Sequence, residues 1–370
     1  MRVLLAPDKF KGSLTAAQVA AAVGAGISSV RPEASLVTVP VADGGDGTVA
    51  AARAAGFEEV PVRASGPTGQ LVGTSWARSG PRAVIELADV SGLARLVDGR
   101  LAPMDASSRG TGEVVAAAID AGCTEVVLGI GGSACTDGGA GLVRALGARL
   151  LDVDGAEIGD GGGALARVAR IDLSGLRVDG ARVTVACDVD NPLTGPAGAA
   201  AVYGPQKGAT AEQVRKLDAA LDRWASVVAD ATGEDHRDAR GAGAAGGVGF
   251  AAIALLGAEL RPGIELILEL TCFHEALSEV DLVVTGEGAL DTQTLHGKAP
   301  AGVAAAARAS GVPVVAVCGR NTLSPAVLRD AGIEASYSLL DLEPDLARCL
   351  TDGPALLHRL GAQIATTHLG

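Results

Sequence analysis

The chain has 370 residues, 48% hydrophobic and 20% charged, with 52 glycines and only 2% aromatic residues. That length exceeds one ordinary hydrophobic core and predicts two domains, and a core of small aliphatic side chains with many sharp turns suits α/β layering. A formal charge of −13 excludes a basic nucleic-acid stripe and an anionic-membrane surface, while small anionic substrates remain compatible with a few clustered cations.

In chain order, "RVLLAP" reads as a strand, and Thr15 with Gln18 forms a capping-box pattern ahead of the helical spacing Ala16, Val19, Val23, Ile27. "SLVTVPVA" is the next strand and 48–55 the next helix. "GQLVGTSWARSGPRAVIELA" predicts an antiparallel hairpin turning at Ser-Gly-Pro, and "EVVLGIGG" and "ARVTVACDV" predict buried strands. Thr210 with Gln213 caps a long helix whose stripe is Val214, Leu217, Leu221, Trp224 and Val228. Toward the end, 281–285 is a strand stopping at Gly-Glu-Gly, 299–310 a helix with Pro300 in its first turn, "VPVVAVCG" a strand, and Ser324-Pro325 another helix start. Strands alternating with helices at both ends predict a doubly wound, Rossmann-like parallel-sheet domain from residues 1–60 and 276–370, with a mixed α/β domain, 61–275, inserted. The six cysteines are scattered without a CxxC pair, the first residues hold too short an apolar run for a signal peptide, and no segment reaches a membrane span. A reduced, cytoplasmic protein is the expectation.

Glycine-rich turns after strands are the dominant chemical feature. No GxxxxGK[ST] occurs, and the one strict GxGxxG (Gly241, Gly243, Gly246) follows no strand, so it reads as a glycine-rich helix entry or a backbone nest for an anion. "GIGGSACTDGGAG" does follow a strand. Its Gly131, Gly132, Ser133, Thr136, Asp137, Gly138 and Gly139 predict a phosphate cradle of backbone N–H donors, with a plain turn and a dinucleotide site as rivals. "ADGGDG" puts Asp43, Gly44, Gly45 and Asp46 at a strand's carboxyl end, where open α/β sheets hold ligands. Helix capping by aspartate is the alternative there.

Of 30 basic residues only five are lysines, at 9, 11, 207, 216 and 298. In so Arg-biased a chain a retained lysine marks a need for a compact point charge. Lys216 fits a solvated helix face. Lys9, Lys11 and Lys298 stand before helix N-termini, and these with Lys207 suit a substrate bearing phosphate and carboxylate. Asp188, Glu287 and Asp291, at strand ends, are the candidates to hold Mg²⁺ or to accept a hydroxyl proton.

Together "LLAPDKFKGSL", "ADGGDGT", "SSRGTGE", "GIGGSACTDGGAG", "ACDVDNPLTGPAGA", "YGPQKGA", "GAGAAGGVG" and "TGEGALDTQT..GKAP" resemble the bacterial glycerate kinase family, in order along the whole chain. The resemblance implies two α/β domains with the active site in a cleft between them, and transfer of the γ-phosphoryl group of Mg-ATP to D-glycerate, in many members at the 2-hydroxyl. On that reading Lys9, Lys11 and Arg109 engage the carboxylate or the transferred phosphate, and Lys298 an anionic oxygen. The Gly131–Gly139 loop cradles nucleotide phosphates, and Asp188 or Asp291 acts near the acceptor hydroxyl. Two rival functions stay open: an NAD(P)-linked oxidoreductase using "GIGGSA", and a two-lobed non-catalytic protein that binds organic acids.

Overall fold

The computed structural model describes residues 1–178, 180–295 and 297–370. By internal contacts the chain divides into two compact units, Met1–Asp43 with Ala50–Ala55 and Ile264–Gly370, and Gly44–Val49 with Gly56–Gly263. The strands, in chain order, are β1 (Arg2–Pro7), β2 (Ser35–Thr38), β3 (Glu58–Ser65), β4 (Leu71–Ser79), β5 (Arg82–Glu86), β6 (Glu125–Gly129), β7 (Arg149–Leu151), β8 (Arg170–Asp172), β9 (Arg182–Ala186), β10 (Glu259–Arg261), β11 (Leu282–Leu290), β12 (Val314–Asn321) and β13 (Ala335–Ser338). Among the described residues no helix is long and apolar enough to cross a membrane.

The unit built from both chain ends carries a five-stranded sheet in the order β13-β12-β11-β1-β2, with every pairing parallel. Its central strands are continuous apolar runs because both faces are covered. Val3, Leu5, Val284, Val315 and Val317 pack with Val19, Val23 and Ile27 of the helix Ala16–Val30 and with Leu357, Leu360 and Ile364 of the helix Gly353–His368. The predicted capping box forms: the Gln18 N–H donates to Thr15 Oγ1 at 3.2 Å and the Thr15 N–H to Gln18 Oε1 at 2.9 Å. β2 is shorter than the apolar run suggests, but its continuation stays beside β1, since the Val39 and Val41 N–H groups donate to Leu5 O (2.9 Å) and Pro7 O (3.1 Å).

One boundary differs from expectation with consequence. The strand expected to stop at Thr285 runs through Gly-Glu-Gly to Leu290, because β12 keeps pairing with it: Glu287 faces Cys318 and Ala289 faces Arg320. β1 stops pairing at Gly286. Glu287 therefore sits on a strand, held by one neighbour, where β1 has already ended.

The other unit holds a six-stranded sheet, β10-β9-β6-β5-β4-β3, in which β5, β6, β9 and β10 are parallel and β4 and β3 antiparallel. The β4–β5 hairpin forms as predicted, with Ala77 opposite Val84. A two-stranded pair, β7-β8, lies apart from that sheet. The long helix Ala211–Thr232 begins at the Thr210–Gln213 capping box and buries Leu217, Leu221, Trp224 and Val228, as its periodicity requires. Chain-end parallel sheet and mixed inserted sheet together make this a two-domain α/β fold.

Candidate active site

In the chain-end unit, β1 leads through the helix Ala16–Val30 to β2 on one side, while β11 leads through the helix Ala299–Ala309 to β12 on the other. Connections that leave two adjacent parallel strands in opposite directions create a topological switch point, and ligands bind outside the carboxyl ends of those strands. The residues that follow β1 and end β11 thus occupy the favoured position of the sheet.

β1 delivers Asp8 and Lys9. The Asp8 N–H donates to Gly286 O at 2.8 Å, extending the ladder by one bond. Asp8 Oδ1 accepts the Lys9 N–H at 2.6 Å and lies 3.6 Å from Lys9 Nζ. Burial, with Asp43 and Glu287 adding repulsion, pushes the Asp8 carboxyl up to about 7 against the opposing pull of Lys9. Lys11, two residues further, is exposed, and its backbone runs beside Gly288.

β11 delivers Glu287, whose Oε1 accepts a hydrogen bond from Thr294 Oγ1 and whose Oε2 lies 3.7 Å from Lys298 Nζ. Thr294 in turn accepts the Asp291 N–H at 3.0 Å, and Asp291 Oδ1 accepts the Gln293 N–H at 2.8 Å, a local turn typical of aspartate. Burial raises the Glu287 carboxyl, Thr294 and Lys298 pull it back, and Asp291 and Asp43 raise it again. Lys298 is the N-cap residue of the helix Ala299–Ala309. The structure thus gathers Lys9, Asp43, Glu287, Asp291 and Lys298 into one electrostatic neighbourhood. Both oxygens that Glu287 would offer a metal are engaged by Thr294 and Lys298, so this carboxylate anchors the loop that carries Lys298.

The inserted unit holds the other predicted residues. Gly44 and Gly45 lie against the carboxyl ends of its parallel strands. A Cβ on Gly44, whose φ is +83°, would come within 2.6 Å of Ala186 Cβ, and one on Gly131 within 2.7 Å of Gly45 Cα. Two glycine segments meet there backbone to backbone, which no side chain would allow. Asp46 is exposed. The turn is tied down by Glu86, whose carboxylate accepts the Gly47 N–H at 3.1 Å from each oxygen and the Val49 N–H at 3.2 Å. Burial, then Asp89 and Asp46, push the Glu86 carboxyl up to about 8.

The loop Gly131–Gly139 departs from the predicted cradle. Only Gly131 and Gly132 are exposed; Ser133 through Gly139 are buried. Asp137 faces inward and accepts from Ser108 N–H (2.8 Å), Ser108 Oγ (2.9 Å), Ser107 Oγ (3.3 Å), Gly141 N–H (3.2 Å) and Gly139 N–H (3.2 Å). Gly138 O accepts from Trp224 Nε1 at 3.0 Å, its N–H donates to Gly246 O at 2.9 Å, and Thr136 Oγ1 is buried without a partner. A loop this rich in internal bonds is a packed element, and its phosphate-facing capacity is confined to its first two residues. The "GAGAAG" segment is buried behind it, packing against Cys135 and Thr136, which favours the helix-entry reading over an anion nest.

Lys207 departs likewise. It is 2% exposed, and its Nζ donates to Ser133 Oγ at 2.9 Å and to Cys135 O, with burial lowering its ammonium. It holds the loop and does not face solvent. Arg109 is engaged by Glu113 (3.3 Å) and Asp160 (3.6 Å). Asp188 is exposed and accepts the Gly263 N–H at 2.9 Å. Sequence reasoning passed over Asp8, Glu86 and Thr294. Asp8 stands beside the two lysines that drew attention, and its position directly after the first strand was the available signal.

Comparison with known proteins agrees with this architecture. The family model described as "Glycerate kinase family" matches residues 3–369. The chain is 44% identical over 372 residues to a glycerate kinase of Bacillus subtilis (strain 168), covering 99% of this chain and 97% of that one. It is 45% identical over 346 residues to the glycerate 2-kinase of Escherichia coli (strain K12), covering 92% and 91%. A solved structure described as glycerate kinase 2, from Salmonella typhimurium LT2, superposes with a TM-score of 0.87 at 42% identity over 99% of this chain and 98% of that one. The chain belongs to the glycerate kinase family.

Proposed function

We propose that the protein transfers the γ-phosphoryl group of ATP to a hydroxyl of D-glycerate, giving 2-phosphoglycerate. The observation that carries this reading is the pairing of cations with carboxylates at the β1 and β11 carboxyl ends, in a chain matched along its length by glycerate kinases. Phosphoryl transfer asks a protein for alignment and charge neutralisation more than for covalent chemistry. Lys9 and Lys298 supply compact positive charge beside the switch point, and exposed Lys11 follows directly. The exposed Gly131–Gly132 backbone is the part of its loop able to meet phosphate oxygens.

Magnesium, when bound, neutralises phosphate charge. Among the described residues no group of three or more His, Cys, Asp or Glu side chains could hold a metal ion. An ion of this kind is commonly held by one or two carboxylates together with phosphate oxygens and water. Asp291, with one oxygen in its turn, is the residue we assign to it. The test is incubation with Mg-ATP and a panel of small hydroxy acids, with the product assigned by phosphorus NMR. A phosphorus resonance coupled to the C2 proton of glycerate is the expected result. ATP left intact with every acid refutes the reading.

A further inference from the structure

One carboxylate at the switch point, that of Asp8, is carried directly on the end of a strand. Glu287 anchors the Lys298 loop, and Asp291 gives an oxygen to the Gln293 N–H of its own turn. Asp8 differs. It is 7% exposed, its backbone is fixed in the ladder through Gly286 just past the end of β1, and about a tenth of its side-chain surface is accessible. Groups carried on a strand end are held more closely than groups on loops, which a proton acceptor aligned with a reacting hydroxyl requires.

The charged groups facing Asp8 are Lys9 on its own segment, Asp43 on the chain continuing from β2, and Glu287 on β11. Burial, the strongest influence, and the two anions outweigh the Lys9 cation, disfavour the ionised form and make the carboxylate an avid proton acceptor; its midpoint near 7 suits a base working at neutral pH.

We propose that Asp8 is the general base that takes the proton from the attacking hydroxyl of glycerate, an inference that rests on the glycerate kinase reading. The Asp8 carboxylate accepts the hydroxyl proton. The freed electron pair on that oxygen forms the new bond to the γ-phosphorus, the bond from that phosphorus to the β–γ bridging oxygen breaks, and ADP leaves with its electron pair. Asp8 then returns the proton to water.

Asp8→Asn keeps the shape and removes the base. With Mg-ATP and D-glycerate, kcat is expected to fall about 10²–10⁴-fold, while the Kd for D-glycerate measured by calorimetry stays within about threefold, as expected for a proton-transfer role. The kcat of the wild-type protein should decline below a midpoint near 7, and the residual rate of the variant should lack that limb. A variant turning over within tenfold of wild type, or keeping the limb, overturns the proposal. Should the variant not fold, a wild-type limb with its midpoint below 6 overturns it equally, and a midpoint near 7 sustains it. Wild-type protein that phosphorylates no glycerate defeats the activity reading itself and the base with it, an outcome distinct from an active enzyme indifferent to Asp8→Asn.

Discussion

Gly138→Ala tests whether the glycine loop is a packed element. At this position φ is +63°, and a Cβ would lie 2.5 Å from Trp224 Cδ1, 2.8 Å from its Nε1 and 3.1 Å from Leu221 Cδ2. The left-handed backbone alone costs a Cβ about 1–2 kcal/mol. Trp224 is fully buried, against Phe250 at 6.4 Å between ring centroids, so the indole has no open side to retreat to. Overpacking of that kind adds about 1–3 kcal/mol, for a total near 2–5 kcal/mol. Gly122→Ala is the control, because Gly122 has φ +87° and nothing within 4 Å of its Cβ position, leaving the backbone cost alone. Urea unfolding followed by tryptophan fluorescence separates the two. Gly138→Ala should lose at least about 1 kcal/mol more than Gly122→Ala, with emission shifted to the red as Trp224 loses its bond to Gly138 O. Equal losses with unchanged emission would refute the packed-loop account.

Three further outcomes follow from the buried charges. Lys207→Met removes two donated bonds, each worth about 1.5–3 kcal/mol when charge-assisted, against relief from burying an ammonium; a net loss of about 1–3 kcal/mol in thermal unfolding is expected, and an unchanged Tm would show that the lysine does not hold the loop. Asp8 and Glu86 have folded-state values raised from 3.8 to about 7 and from 4.5 to about 8, so the native protein retains protons that the unfolded chain has released. Stability is therefore greatest toward the acid end of that window and falls as pH rises from about 4 to about 8. Glu86→Gln should flatten the fall between pH 6 and 8.5 by roughly 2 kcal/mol in denaturant titrations, and an unaltered slope counts against it. Lys298→Met, which removes the cation beside Glu287, should lower kcat/KM about 10²-fold or more in a coupled ADP assay, and near-normal turnover would take Lys298 out of the mechanism.

Much of the fold was legible because it is encoded locally. Capping boxes at Thr15 and Thr210, the helical stripe ending at Val228, and the Ser-Gly-Pro hairpin all depend on neighbours within a few residues. The end of β11 was not, because local turn chemistry in Gly-Glu-Gly competes with a tertiary fact, the continued pairing of Glu287 and Ala289 with β12. The glycine loop misled for a related reason. Backbone N–H groups free to cradle phosphate and backbone packed against a tryptophan need the same residue type, and only the positions of Trp224 and Gly246 separate the two. Asp8 escaped because its environment is assembled from β1 and β11, where Thr285 Oγ1 donates to Ala6 O across 279 positions.

The lysines show most sharply what composition can and cannot say. Rarity predicted compact charge at substrate-facing positions, and the structure divides the five by desolvation instead. Lys216 pairs with Glu212 on an open helix face, 2.7 Å away, and Lys11 is exposed. Lys207 is buried, and Lys9 and Lys298 are half-buried beside carboxylates. A guanidinium carries five donors in a rigid plane, and a burial as complete as that of Lys207, with two acceptors at its Nζ, would leave most of them unpaired. The ammonium fits because it is a point. At position 207 lysine thus marks a site where charge must be held in little space. Lys207→Arg should accordingly destabilise the protein as Lys207→Met does, although it keeps the charge. An arginine variant with wild-type Tm would mean that the pocket around Nζ is roomier than the two acceptors imply.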